Sequence, residues 1–202
     1  MKRIIFLILL TACPYLYGQE LEEQETSERP EKSISHFALG YSYSPLTVNV
    51  RRLLTDISDF SASKETISCE GHSFNFGSNI NAKIEYPLFI GVSYQTCFKE
   101  TDIADEEHTD RHVDRFELFN SQGGFYGYIM PHFGIGFGLT HTEYVFLGKN
   151  KYQKADFGIF VDLFGGIPIE IDRTKVIPKA GITLHSNRYI DDFYRFGFDF
   201  LF

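Results

Sequence analysis

Three groups of residues in this 202-residue chain have the types that chemistry needs. The first is His185-Ser186-Asn187 with Asp191 and Asp192 behind it. A hydroxyl, an imidazole and an orienting carboxylate are the apparatus of ester hydrolysis. The second is the pair Cys69 and Cys97, which can join in an oxidising compartment. The third is a set of ionisable side chains standing among apolar neighbours: Lys83, Glu85, Asp162, Lys179, His185, Arg195 and Asp199. Wherever such groups are buried they must find opposite charges or hydrogen bonds. No metal site and no cofactor is expected.

What these residues can do depends on the elements that carry them, and those read as strands. From residue 36 onward apolar and polar positions alternate, with no convincing stretch of helical period. In 36–44, Phe37, Leu39, Tyr41 and Tyr43 share one face. A mixed, charged segment follows over 51–70. A second strand over 72–86 sets Phe74, Phe76, Ile80, Ala82, Ile84 and Tyr86 against Asn75, Gly77, Asn79, Asn81, Lys83 and Glu85. Pro87 interrupts it, because proline cannot donate to the ladder. The third strand carries Leu88, Ile90, Val92, Tyr94 and Phe98 on one face. Residues 99–112 are charged and aperiodic, the mark of a solvated loop.

A fourth strand spans 113–130, with a parity change near Gly123 and Gly124 that reads as a bulge. The fifth alternates Phe133, Ile135, Phe137 and Leu139 with glycine and threonine. The sixth sets Phe157, Ile159, Val161 and Leu163 against Asp156, Gly158, Phe160 and Asp162. The seventh carries Val176, Ala180, Ile182 and Leu184, with Pro178 awkward inside it. The eighth is 194–202, with Tyr194, Phe196, Phe198, Phe200 and Phe202 on one face and Arg195, Gly197 and Asp199 on the other. With 21 Phe, 12 Tyr, 17 Gly and a mean hydropathy just below zero, the composition suits strands with one apolar and one polar face.

Ahead of the strands, Met1-Lys2-Arg3 and the apolar run Ile4 to Leu10 have the form of a secretory signal peptide, too short to span a bilayer. Cleavage near Gly18 makes 1–18 the signal. The alternative is Leu10-Thr11-Ala12-Cys13, which resembles a bacterial lipoprotein box and would be acylated at Cys13. Residues 19–35 hold six glutamates and almost nothing apolar, as a disordered acidic spacer does. Removing Lys2 and Arg3 from 19 basic residues leaves 17 against 27 acidic ones. A chain that acidic is repelled by phosphate backbones, so nucleic acid is not an expected partner.

Long polar connections alternate with short turns at Pro87, Pro131 and Asp172-Arg173. That asymmetry is the pattern of outer-membrane barrels, which have an even strand count from eight upward. In lipid an open sheet edge would leave backbone groups unpaired, so the sheet must close. Residues 36–202 resemble the small bacterial outer-membrane barrels of the OmpA/OmpX type. The resemblance implies an all-β, closed, antiparallel up-and-down transmembrane barrel of about eight strands in the bacterial outer membrane. It also implies that the terminal row Tyr194, Phe196, Phe198, Phe200 and Phe202 is the signal read by the assembly machinery.

In such a barrel the seven ionisable residues face a narrow lumen and form a packed charge network, since eight strands enclose only enough room for side chains. The expected role is non-enzymatic: surface interaction or adhesion through the loops at 51–70 and 99–112. A narrow pore and a lipid A esterase are the alternatives. The esterase rests on Leu184-His185-Ser186-Asn187, which resembles a degraded His-x-Ser-Asn signature of the lipid A deacylases. With His185 and Ser186 adjacent on a strand, the two point to opposite faces. A soluble lipocalin-like barrel would turn Phe133, Ile135 and Phe137 inward instead. For the cysteines, pairing across Pro87 puts residue 97 opposite about residue 77. Cys69 would then have to fold back from a loop, and both a disulfide and two free thiols stay open.

Overall fold

The computed structural model describes residues 37–80, 88–130, 132–171 and 174–202. The expectations for the leader, the spacer, Cys13, Lys83, Glu85, Pro87, Pro131 and Asp172-Arg173 lie outside the described residues. The strands are β1 (Phe37–Asn49), β2 (Thr66–Asn79), β3 (Leu88–Ala104), β4 (His112–Met130), β5 (Phe133–Gly148), β6 (Lys151–Gly166), β7 (Ile169–Ile171), β8 (Thr174–His185) and β9 (Phe193–Leu201). Among the described residues one helix, α1 (Val50–Ser58), follows β1. From β1 to β6 each strand pairs antiparallel with the next, β6 and β7 each pair with β8, β8 pairs with β9, and β9 returns to β1, Ala38 opposite Leu201 and Tyr43 opposite Phe196. Because β6 and the three-residue β7 both pair with β8, they form one interrupted stave, and the barrel closes with eight.

The interruption accounts for Pro178. Its carbonyl accepts from Ile167 at the break between β6 and β7, so its missing N–H falls where the ladder is already broken. The anticipated bulge at Gly123 and Gly124 is absent: β4 pairs continuously there with both β3 and β5, and its register shifts lie elsewhere, near the strand ends. What changes along β4 is which face is apolar. Phe116 and Leu118 point inward and are fully buried, whereas lower down Asn120 and Gln122 take the inward places and Phe125 faces out.

This inversion organises the barrel interior into three layers. At the end bearing α1, a core of Leu46, Val48, Leu53, Phe60, Ile67, Phe116, Tyr144, Phe146 and Phe193 fills the inside. In the middle the inward positions are polar: Ser42, Ser73, Gln95, Asn120, Gln122, Thr140, Thr183, Arg195 and Asp199. At the opposite end Ala38, Phe89, Tyr128, Phe164, Ile177 and Leu201 close the floor. Outside the middle and floor runs an apolar belt. Phe137 is 53% exposed and Phe133 38%, and Phe74, Val92, Leu139, Phe157, Phe196 and Phe198 are exposed with them. The apolar side of the alternation therefore faces out, the reverse of a lipocalin.

Three further expectations change. The solvated loop expected over 99–112 shrinks to 105–111, because β3 runs on to Ala104 above the belt. The segment expected to be irregular over 51–70 contains α1 and the start of β2. Asn49 caps the helix, its side chain accepting from the Arg52 N–H at 2.9 Å, while Val50, Leu53 and Leu54 bury one face. Asp59 ends it in the left-handed conformation at φ 53° and ψ 35°. The third change is register: Phe89 faces Asn79 and Thr96 faces His72, which places residue 97 near residue 71 and not near residue 77.

Candidate functional site

Two regions gather the chemistry-bearing residues, the polar lumen and the cap above it. In the lumen, Lys179 of β8 reaches across to both oxygens of Asp199 on β9, at 2.6 and 2.7 Å, with the two side chains 10% and 3% exposed. Arg195 sends one nitrogen to Asp162 at 3.1 Å and another to Gln122 at 3.1 Å, and Thr183 donates to Asp162 at 2.6 Å. A second chain of hydrogen bonds links Thr140 to Asn120 and Asn120 to Gln95. Four of the seven ionisable residues singled out in the sequence thus meet as two ion pairs. Alternation places them: each is the inward residue between two outward apolar ones. The space left among them is about 50 Å³, room for a few water molecules.

His185 belongs to the neighbourhood of the β8–β9 connection instead. Its ring Nε2 lies 3.1 Å from the Asp191 carbonyl, and its backbone N–H donates to Asp192 at 3.2 Å. Ser186 acts as part of the ladder. Its N–H bonds to the Ile159 carbonyl at 3.0 Å and its hydroxyl accepts from the Ile159 N–H at 3.0 Å. Asn187 accepts from the Tyr144 hydroxyl at 2.7 Å and donates to Thr142 at 3.0 Å. The Ser/His neighbourhood is therefore engaged in holding the connection over the barrel.

Cys69 and Cys97 are joined in a disulfide inside the cap core, with Cα atoms 6.1 Å apart. Cys69 reaches its partner from within β2 and needs no folding back from a loop, because the actual register brings Cys97 near residue 71.

The cap joins segments far apart in sequence. Asp105, its carboxylate fully buried, accepts from the N–H groups of Ser61 at 3.3 Å and Glu107 at 3.0 Å and meets Arg111 and His108, each at 3.4 Å. Burial alone would push its carboxyl upward. The N–H donors of Glu107, Ser61 and His108, with the charge of His108, outweigh that and hold it below the usual carboxylate range. Asp56 of α1 is likewise lowered, chiefly by the Tyr189 hydroxyl that donates to it at 2.6 Å, with Lys154 at 3.5 Å assisting. Arg51 bonds the Ala62 carbonyl at 3.1 Å and Glu106 at 3.2 Å, tying α1 to the β3–β4 connection. Sequence reasoning missed Asp105 and Asp56 as anchors, since an aspartate in a charged run carries no sign of a partner more than forty residues away.

On the outer face of β9, Tyr194, Phe196, Phe198 and Phe200 are all exposed, and Phe202 with them. Among the described residues no group of three or more His, Cys, Asp or Glu is placed to hold a metal ion.

No family model matches this chain, and no curated protein matches it. Among solved structures it is similar to Ail, the attachment invasion locus protein of Yersinia pestis. The identity is 11%, with 83% of this chain and 97% of that chain covered, at a TM-score of 0.43. Ail in complex with the heparin analogue sucrose octasulfate matches at 10% identity, with the same coverage and TM-score. The N-terminal β-barrel domain of Pseudomonas aeruginosa OprF matches at 8% identity and a TM-score of 0.39, with 83% of this chain and 98% of that one covered.

Proposed function

We propose that this chain is an integral barrel of the bacterial outer membrane, exported by the leader at 1–18, that holds a rigid cap outside the cell as a non-enzymatic surface for contact with external partners. The inversion of the apolar face carries the reading. Around the polar lumen and floor the apolar side chains face outward, as lipid requires; in the cap they face inward, as water requires. Seventeen residues at about 3.3 Å each make β3 roughly 55 Å long. Tilted by about 40°, it still outruns an apolar band about 25 Å tall. The part that protrudes is folded as a small water-soluble domain.

The outward aromatic row of β9 is, on this reading, the segment recognised by the membrane-assembly machinery. A conducting pore is supported less well, because apolar floor and cap layers bracket the polar lumen.

The test is location and orientation together. The protein should leave membranes only with detergent and migrate differently on gels before and after heating. On intact cells, a membrane-impermeant amine reagent should modify Lys64, in the segment after α1, and reach Lys175, near the β7–β8 turn, only after disruption. Solubility without detergent would sink the membrane reading, and labelling of Lys175 but not Lys64 on intact cells would invert the topology.

A further inference from the structure

The wall of the cap lacks one stave. Within the belt β6 is flanked by β5 and β8, but β8 stops at His185, opposite Phe160, and the pairing ends one residue higher at Ile159. There the Ile159 carbonyl accepts from the Ser186 N–H and the Ile159 N–H donates to the Ser186 hydroxyl, each at 3.0 Å. The chain then leaves the edge. Arg188 donates its N–H at 3.3 Å to Asp156, an inward residue of β6, and the next turn of chain joins β1, where the Tyr189 carbonyl accepts from Asn49 and the Asp191 N–H donates to Thr47. Above Ile159, β6 runs on to Lys151 with β5 on one side and no strand on the other.

Backbone N–H and C=O groups alternate in direction along a strand, as side chains do. Those of Ile159 point to the β8 side, so those of Phe157, Ala155 and Gln153 point there too, and no described residue pairs with them. Exposed edges are usually blunted by proline, by a bulge or by an inward charge. Residues 151–157 contain no proline, and their register with β5 is unbroken from Lys151 opposite Leu147 to Phe157 opposite His141. The inward charges are already engaged, Lys154 with Asp56 at 3.5 Å and Asp156 with the Arg188 N–H.

We propose that this open edge takes up an extended segment of an external protein as an antiparallel strand, completing the wall where β8 leaves it. The inference rests on the reading of the cap as a contact surface and names the kind of partner. Outward neighbours of the added strand are Phe157, 76% exposed, then Ala155, Gln153 and Lys151. Cross-strand pairing favours a β-branched or aromatic residue opposite Phe157 and an acidic one opposite Lys151, six positions further along. Charge supports the second requirement, since among the described residues neither Lys149 nor Lys151 has a carboxylate within ion-pair distance. A second copy does not fit. Copies in one membrane stand the same way up, so two such edges would meet in parallel. A parallel ladder staggers its partners, whereas two-fold symmetry sets identical residues side by side.

The heptapeptide Val-Lys-Thr-Thr-Val-Thr-Glu carries this pattern and serves as the probe, with the full chain folded in detergent. Without peptide, the amides of Gln153, Ala155 and Phe157 should exchange quickly with solvent and those of Lys154 and Asp156, bonded to β5, slowly. Peptide should protect the first three. Ala155→Pro removes one open N–H and spares the β5 ladder, so it should weaken binding of the fluorescein-labelled peptide at least about fivefold, the effect of one hydrogen bond. A peptide N-methylated at the amides that face β6 keeps its side chains and should not bind. Heat-modifiable migration reports folding of each variant, and Gln153→Pro serves if Ala155→Pro does not fold. Protection of the three amides without peptide overturns the proposal, as does protection that grows with protein concentration alone. Equal binding by a folded proline variant, or by the N-methylated peptide, overturns it too. Because the protein is purified, these results do not depend on which side of the membrane the cap faces; inverted labelling of Lys64 and Lys175 on cells would defeat the contact-surface reading by itself.

Discussion

At the scale of single residues, the lumen pairs make a sharp energetic prediction. Removing one member of a buried ion pair leaves the other uncompensated, at about 3–5 kcal/mol, whereas replacing both with apolar groups is far milder. Lys179→Met should therefore destabilise the barrel strongly, and Lys179→Met with Asp199→Leu should regain most of the loss; urea unfolding in lipid vesicles measures both. Asp105 makes a pH prediction. Its carboxyl is lowered in the folded state, so its contribution is complete above the unfolded value near 3.9 and is lost as pH falls through the lowered folded value. Protection of residues 105–111 against hydrogen exchange, taken relative to the intrinsic rate at each pH, should fall only on acidification below about pH 4. In Asp105→Asn the segment should exchange fast at neutral pH too. The lumen residues were legible because alternation alone assigns them a face. Asp105 was not: Ser61 comes from a segment forty-four residues away, and nothing in the charged run says that Glu107, His108 and Arg111 fold back on this aspartate.

At the scale of elements, α1 shows where reading by alternation fails. Val50, Leu53, Leu54 and Ile57 do carry helical spacing, behind an asparagine cap, yet the run is only nine residues long and lies between segments of period two. The parity change on β4 misled in the opposite way. It marked no backbone irregularity, only the height at which the strand leaves the lipid and its apolar face turns inward. The disulfide belongs to the protruding part, in a cap core shared with Ile67 and Leu118. Removing it with Cys69→Ala and Cys97→Ala releases a closed loop of 28 residues, worth about 3 kcal/mol. Trypsin should then cut the cap at Lys64 and Arg111 several times faster, while the heat-modifiable migration of the barrel persists. Equal protection in both forms would show that the cap is held by packing alone.

At the scale of the whole molecule, the strand count, the closed antiparallel architecture and the outward direction of the apolar face could all be read from the sequence. Period-two patterning and the need to satisfy backbone groups in lipid leave few other arrangements. The cap could not be read, since a soluble core built on the ends of membrane strands uses the same alternation with its sign reversed. The belt and the cap should therefore answer the same substitution differently. Phe137→Arg puts a charge into lipid and should cost roughly 2–4 kcal/mol and impair insertion. Phe146→Arg should leave insertion intact and loosen the cap, as protease digestion of inserted protein would show. Planar bilayer recordings should show no discrete openings, given the apolar layers on both sides of the lumen.

The register of β2 against β3 has a further consequence. A slip by one residue would turn every side chain to the wrong face and is excluded by the belt itself. A slip by two keeps each face intact, so alternation is blind to it, although stagger and barrel size are linked and the girth would change. Side-chain patterning alone thus leaves a family of degenerate barrels of different width. The covalent link between Cys69 and Cys97 acts as a vernier stop that admits one member of that family. It sets the bore of the barrel from a point outside the membrane.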